Sequence, residues 1–164
     1  STRPDWIIDY GTGNGGRAHF LASICELLGH GQVLTIDTES AEGRPSHDRI
    51  RSITVESFTG PETRAAIAEV VGDAPNALVI IGTRGYRQEI LDQFETLVDF
   101  VPVGSYVVVE STIVGGHPVW PSFGPGPAEG ARAITDAHPD FEVDEDAEPR
   151  GLTYNPEGYL RRTR

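Results

Sequence analysis

Apolar residues along this chain fall into short blocks separated by longer amphipathic stretches. Trp6 to Ile8, VLTID at 33–37, SITVE at 52–56, ALVII at 77–81 and SYVVVE at 105–110 read as strands. ALVII is apolar throughout, as expected of a parallel strand covered on both faces. Between the blocks the spacing turns helical. Residues 17–28 place Phe20, Leu21, Ile24, Leu27 and Leu28 on one face, with Gly29 as the stop. Thr59 and Glu62 around Pro61 read as a capping box that opens a helix to Val71. Further helices are predicted at about 88–98, with Ile90, Leu91, Phe94 and Leu97 inward, and at about 127–137. FEVD at 141–144 and two short runs near 152–154 and 159–161 close the pattern as an antiparallel edge. Strands alternating with helices give one α/β domain over residues 1–164, a three-layer α/β/α sandwich with a mainly parallel sheet.

In such a sheet the strand carboxyl ends share one rim, where ligands bind. Asp9, Asp37, Ser57, Gly82 and Glu110 all fall at or just past a predicted strand end. The first of these ends carries the strongest motif, DYGTGNGG at 9–16. Gly11, Gly13 and Gly16 satisfy the dinucleotide fingerprint GxGxxG. Asp9, Gly11, Gly13 and Gly15 equally satisfy (D/E)xGxGxG, the pattern of enzymes that bind S-adenosylmethionine (SAM). A glycine-rich turn with a cap is the plain alternative. The acid favours SAM, because a carboxylate repels a pyrophosphate but holds the ammonium of a methionine moiety. Asp37 stands about twenty residues past the turn, where a ribose-binding carboxylate is expected, although a turn or cap residue would look the same.

Residues 111–126, STIVGGHPVWPSFGPG, cannot form a helix or a central strand, because Pro118, Pro121 and Pro125 interrupt them. A long loop at a strand's carboxyl end is a usual place for substrate chemistry. It holds His117, Trp120 and Phe123. Its exposed Val119, Trp120 and Phe123 predict self-association, or a mobile loop.

Composition narrows the function. A net charge of −12 argues against nucleic acid and against an anionic membrane surface. No apolar run is long enough to span a bilayer. The lone Cys25 excludes an internal disulfide and fits a reducing cytoplasm. All thirteen basic residues are arginine, and the chain begins at Ser1 without any Met, which reads as a processed, truncated or engineered product.

With these residues placed, the chain resembles the cephalosporin hydroxylase-like family of SAM-dependent O-methyltransferases. The likeness runs through DYGTGNGG, GSYVVVES, GHPVWPSFGPGP, AHPDFEVD and LTYNPEGYLRR. It implies a Rossmann-like methyltransferase fold and methyl transfer to a hydroxyl of a small natural product. By that likeness Asp9, Gly11, Thr12, Gly13, Asn14 and Gly15 hold the methionine part of SAM or S-adenosylhomocysteine. Asp37 would hold the ribose, and Ser57 would sit near the adenine. Family members usually carry a longer region before the glycine motif.

The family's metal positions are altered. After the fourth strand the pattern resembles LDSxH, but here Gly82-Thr83-Arg84 stands in its place. After the fifth strand VVED becomes Val108-Val109-Glu110-Ser111. Hard divalent cations need several oxygen ligands, usually with more than one carboxylate. No metal site is therefore expected, and Arg84 would bring a positive charge that Glu110 could pair. Without a metal the reaction needs a base, for which His117 and Glu110 are the candidates. Arg84, Tyr86 and Trp120 are expected to line the acceptor pocket. The alternatives are a protein of this fold that keeps SAM while catalysing a cyclisation or rearrangement, and a trimmed or engineered SAM-binding module without turnover.

Overall fold

The computed structural model describes residues 2–164 except 74, 84, 116 and 149–151. Seven strands form one sheet in the order β3-β2-β1-β4-β5-β7-β6. β1 (Trp6–Tyr10), β2 (Gln32–Asp37), β3 (Ile50–Thr54), β4 (Ala77–Ile81) and β5 (Tyr106–Val109) run parallel. β7 (Tyr159–Arg162) pairs antiparallel with both β5 and β6 (Phe141–Val143). The three-layer α/β/α sandwich with an antiparallel edge is thus observed. Reversal of the chain order on either side of β1 and β4 makes the crevice between them the topological switch point, the usual ligand position in open α/β sheets.

The two faces of the sheet are covered unequally. One face carries the main core, in which Ile8, Tyr10, Leu34, Ile36, Val79, Ile81 and Val107 meet three helices. Ile67 and Val71 come from α2 (Pro61–Val71), Ile90, Phe94 and Leu97 from α3 (Arg87–Leu97), and Ile134 from α4 (Pro127–Ala137). On the other face Ile7, Val33 and Ile80 pack against a smaller cluster from α1 (Gly16–Leu27).

α1 corrects the sequence expectation most clearly. Its buried residues are Ala18, Ala22 and Cys25, whereas Phe20, Ile24, Leu27 and Leu28 face outward. Small side chains let the helix lie close on the β-branched surface of the sheet, and the larger apolar residues are left as an exposed stripe. The Thr59 capping box does not form. Gly60 is the N-cap of α2, one residue later, and the Thr59 hydroxyl is hydrogen-bonded to Ser57. β3 begins and ends two residues before SITVE, because Ile50 lies opposite Val33 in register. Residues 152–154 are not a strand. Thr153 instead accepts the Asn155 N–H in the turn that leads to β7.

The packing predicts contrasting costs. Phe94→Ala, within the core, should lower unfolding free energy by roughly 3–5 kcal/mol. Leu27→Ser, at a residue 84% exposed, should stay within about 0.5 kcal/mol of the parent. Urea melts measure both, and a large loss at Leu27 would show that α1 is covered.

Candidate active site

The rim is assembled by backbone bonds that continue the sheet. The Gly11 N–H donates to Ile36, the Gly82 N–H to Tyr10, and the Glu110 N–H to Ile81. These bonds bring the ends of β2, β1, β4 and β5 together. The chain then turns over the rim with Gly11, Gly13 and Gly15 at φ of 82°, 57° and 82°, a region that side chains disfavour. Gly15 becomes the N-cap of α1. The Thr12 hydroxyl donates to the Ile36 carbonyl at 3.3 Å, and Asn14 caps the Gly16 N–H at 3.1 Å. Gly13 is exposed, with open space where a side chain would stand.

Asp37 locks this turn from β2. Its Oδ2 accepts the Gly13 N–H and an Arg44 N–H, each at 3.0 Å, and its Oδ1 accepts the Thr38 N–H at 2.8 Å. Ser57 lies farther out, exposed and bonded to Thr59. The loop that carries it is held to the rim by Tyr10, whose buried hydroxyl donates to the Phe58 carbonyl.

Beneath the turn lies a charge cluster with Asp9 at its centre, fully buried. Arg17, in the first turn of α1, extends its guanidinium across the rim. Nε donates to Asp9 Oδ1 at 2.5 Å and Nη1 donates to Glu110. Nη2 donates to the Gly11 carbonyl at 2.9 Å. The guanidinium lies where a Cβ at position 82 would stand, so a side chain there would displace it from this notch. Asp9 Oδ2 is buried and has no hydrogen-bond partner among the described residues.

The sequence reading missed Arg17. Glu110 pairs with this residue, whereas Arg84 lies outside the described residues. One signal was available. A cation in a helix's first turn opposes the helix dipole, typically at a cost of about 0.3–1 kcal/mol, and so calls for anionic partners. Asp9 and Glu110 supply them.

A divalent metal does not fit the residues present. Gly82 offers no ligand, and Arg17 is bonded to both nearby carboxylates. Among the described residues no group of three or more His, Cys, Asp or Glu gathers as a metal site.

The second half of the rim comes from the loops after β4 and β5. The Arg87 N–H donates to the Pro125 carbonyl at 3.1 Å. Tyr86 stacks on Phe123 with ring centroids 4.9 Å apart, and Trp120 meets Phe123 edge-on at 5.4 Å. Trp120 and Val119 are exposed. His117 Nε2 is bonded to Glu129 Oε1 at 2.5 Å, and Glu129 Oε2 accepts the Gly126 N–H at 2.7 Å. Burial would raise the Glu129 carboxyl, but the Gly126 N–H and His117 outweigh it and hold it below the usual range. Phe123 and Glu129 thus join the candidate residues through contacts that spacing alone does not display.

This rim and the sheet beneath it are those of a Rossmann-like methyltransferase. The family model described as Rhamnosyl O-methyltransferase/CmcI matches residues 1–163, and the chain belongs to that family. It is 31% identical over 166 residues to a rhamnosyl O-methyltransferase of Mycobacterium tuberculosis (strain ATCC 25618 / H37Rv), covering 98% of this chain and 68% of that protein. The corresponding Mycobacterium leprae (strain TN) protein is 30% identical over 167 residues, covering 97% and 72%. Among solved structures, CmcI with Mg and SAM superposes with a TM-score of 0.68 at 19% identity, covering 99% of this chain and 66% of that one. The O-methyltransferase TomG from Streptomyces achromogenes, in complex with SAM, gives 0.62 at 19% identity, covering 99% and 75%.

Asp9 makes the cluster sensitive to pH. Burial pushes its carboxyl up to about 6, Arg17 works against the rise, and Glu110 and Asp37 add to it. The folded chain therefore holds this proton more tightly than the unfolded chain. The resulting stability is fully present below the ordinary value of 3.8 and is lost as pH rises through about 6. Relative to Asp9→Asn, the parent should lose roughly 1–3 kcal/mol between about pH 4 and pH 6.5, read by urea melts across that range. Parallel curves for the two proteins would refute this assignment.

Proposed function

We propose that this protein transfers the methyl group of SAM to a hydroxyl of a small sugar-bearing natural product without using a divalent metal. The observation that carries the reading is the buried, unpartnered Asp9 Oδ2 beneath an open glycine turn. A buried carboxylate oxygen without a donor is costly, and a cationic ligand relieves that cost. Asp9 with Gly11, Thr12, Gly13, Asn14 and Gly15 would hold the methionine part, Asp37 the ribose, and Ser57 the adenine side. When bound, SAM supplies an electrophilic methyl group.

The chain's own work is to position the acceptor and take its proton. His117 is the better-placed base. Glu129 fixes its Nε2, which leaves Nδ1 to accept a proton, whereas Glu110 is already engaged by Arg17. Tyr86, Trp120 and Phe123 offer aromatic faces to the C–H side of a sugar ring. A rhamnosyl acceptor is in keeping with the named relatives. The net charge of −12 speaks against nucleic-acid or anionic-membrane partners. The buried free thiol of Cys25 suits a reducing cytoplasm. No helix among the described residues is long and apolar enough to cross a membrane.

Calorimetry should show S-adenosylhomocysteine binding, weakened by roughly 1–3 kcal/mol in Asp37→Ala. Tighter binding of NADH would reverse the cofactor assignment. With methyl-labelled SAM and rhamnosyl glycosides, label should pass to the glycoside and persist in EDTA. His117→Ala should lower that turnover by roughly 10²–10⁴-fold. Turnover that vanishes in EDTA and returns with Mg²⁺ would overturn metal independence. Self-association through Val119 and Trp120, or a mobile loop, is expected, and a monodisperse monomer in light scattering with the loop protected in hydrogen exchange would count against it.

A further inference from the structure

We infer that Arg17 is the resident cation of this site, built into the chain where a divalent ion would otherwise neutralise the rim. The inference deepens the methyltransferase reading and rests on it for the role of the rim. The placement of Arg17 does not depend on that reading. Its guanidinium spans the ends of β1 and β5 by bonding Asp9 and Glu110 together, and it fills the notch beside β4 left by Gly82. The location is central, since Asp9 and the Gly82 notch flank the crevice between β1 and β4, the topological switch point.

Charge explains why cation and metal exclude each other. A divalent cation beside the guanidinium would be repelled by its fixed positive charge. It would also find both nearby carboxylates already occupied. Two residues are coupled by this exchange. An aspartate at 82 would overlap Arg17, and without Arg17 the two remaining acids would lie close with no positive charge between them.

Arg17 also acts as a positioning residue. It fixes Glu110, which is 28% exposed at the side chain, in one orientation towards the rim. Nη1 carries two hydrogens, of which Glu110 takes one. The guanidinium keeps its proton throughout, so any proton that leaves the acceptor must go to another group.

The test is Mn²⁺ binding followed by electron paramagnetic resonance, alongside calorimetry with S-adenosylhomocysteine on the same samples. The parent protein should leave the free Mn²⁺ signal unchanged at millimolar concentration. The double variant Arg17→Ala with Gly82→Asp exchanges the cation for a third acid. It should bind Mn²⁺ at least about tenfold more tightly, equivalent to about 1.4 kcal/mol. Mn²⁺ bound by the parent would overturn the inference, as would a folded double variant that gains no affinity. If the double variant does not fold, the parent measurement still decides. Failure of the parent to bind S-adenosylhomocysteine would refute the methyltransferase reading and leave the Mn²⁺ result intact.

Discussion

The structure of the rim depends on one costly placement, the Asp9 carboxylate with no exposure to solvent at the end of a central parallel strand. A buried charge without compensation costs several kcal/mol. Glu110 and Asp37 make the placement harder still. The neighbouring features answer to that constraint. The glycine turn brings the first residues of α1 back over β1, so that Arg17 can reach Asp9. Gly82 vacates the space that the guanidinium needs. Asp37 is drawn away from the cluster by its bonds to Gly13, Arg44 and Thr38.

Most of the architecture was legible because parallel strands and amphipathic helices leave strong periodic signals. ALVII and the rim positions of Asp9, Asp37, Gly82 and Glu110 needed only that periodicity and the rule that parallel strands end together. α1 was misread because periodicity reports where apolar residues lie, not which face is covered. Ala18, Ala22 and Cys25 meet the sheet, while the larger stripe from Phe20 to Leu28 is left outside. The edge was overread for a related reason. Leu152 to Tyr154 has strand-like composition, yet Asn155 turns the chain before pairing can begin.

The site was legible in its parts and opaque in its connections. The glycine motif, the second acid and the Pro/Gly loop each announce themselves in sequence. The Arg17–Glu110 pair spans β1 to β5, and the His117–Glu129 pair joins a loop to the first turn of α4. Such contacts depend on side-chain reach across the rim, which no local pattern encodes. The stack of Tyr86 on Phe123 joins the loops after β4 and β5 in the same way.

A positive charge carried on a side chain differs from a bound ion in how it is supplied. An ion is subject to mass action and occupies its site only in proportion to its free concentration. The Arg17 guanidinium is delivered by the fold itself, at the high effective concentration that a short tether confers. It cannot be washed out or replaced by a competing ion, and it stays protonated across the physiological range. Charging this rim and folding the chain are therefore a single event.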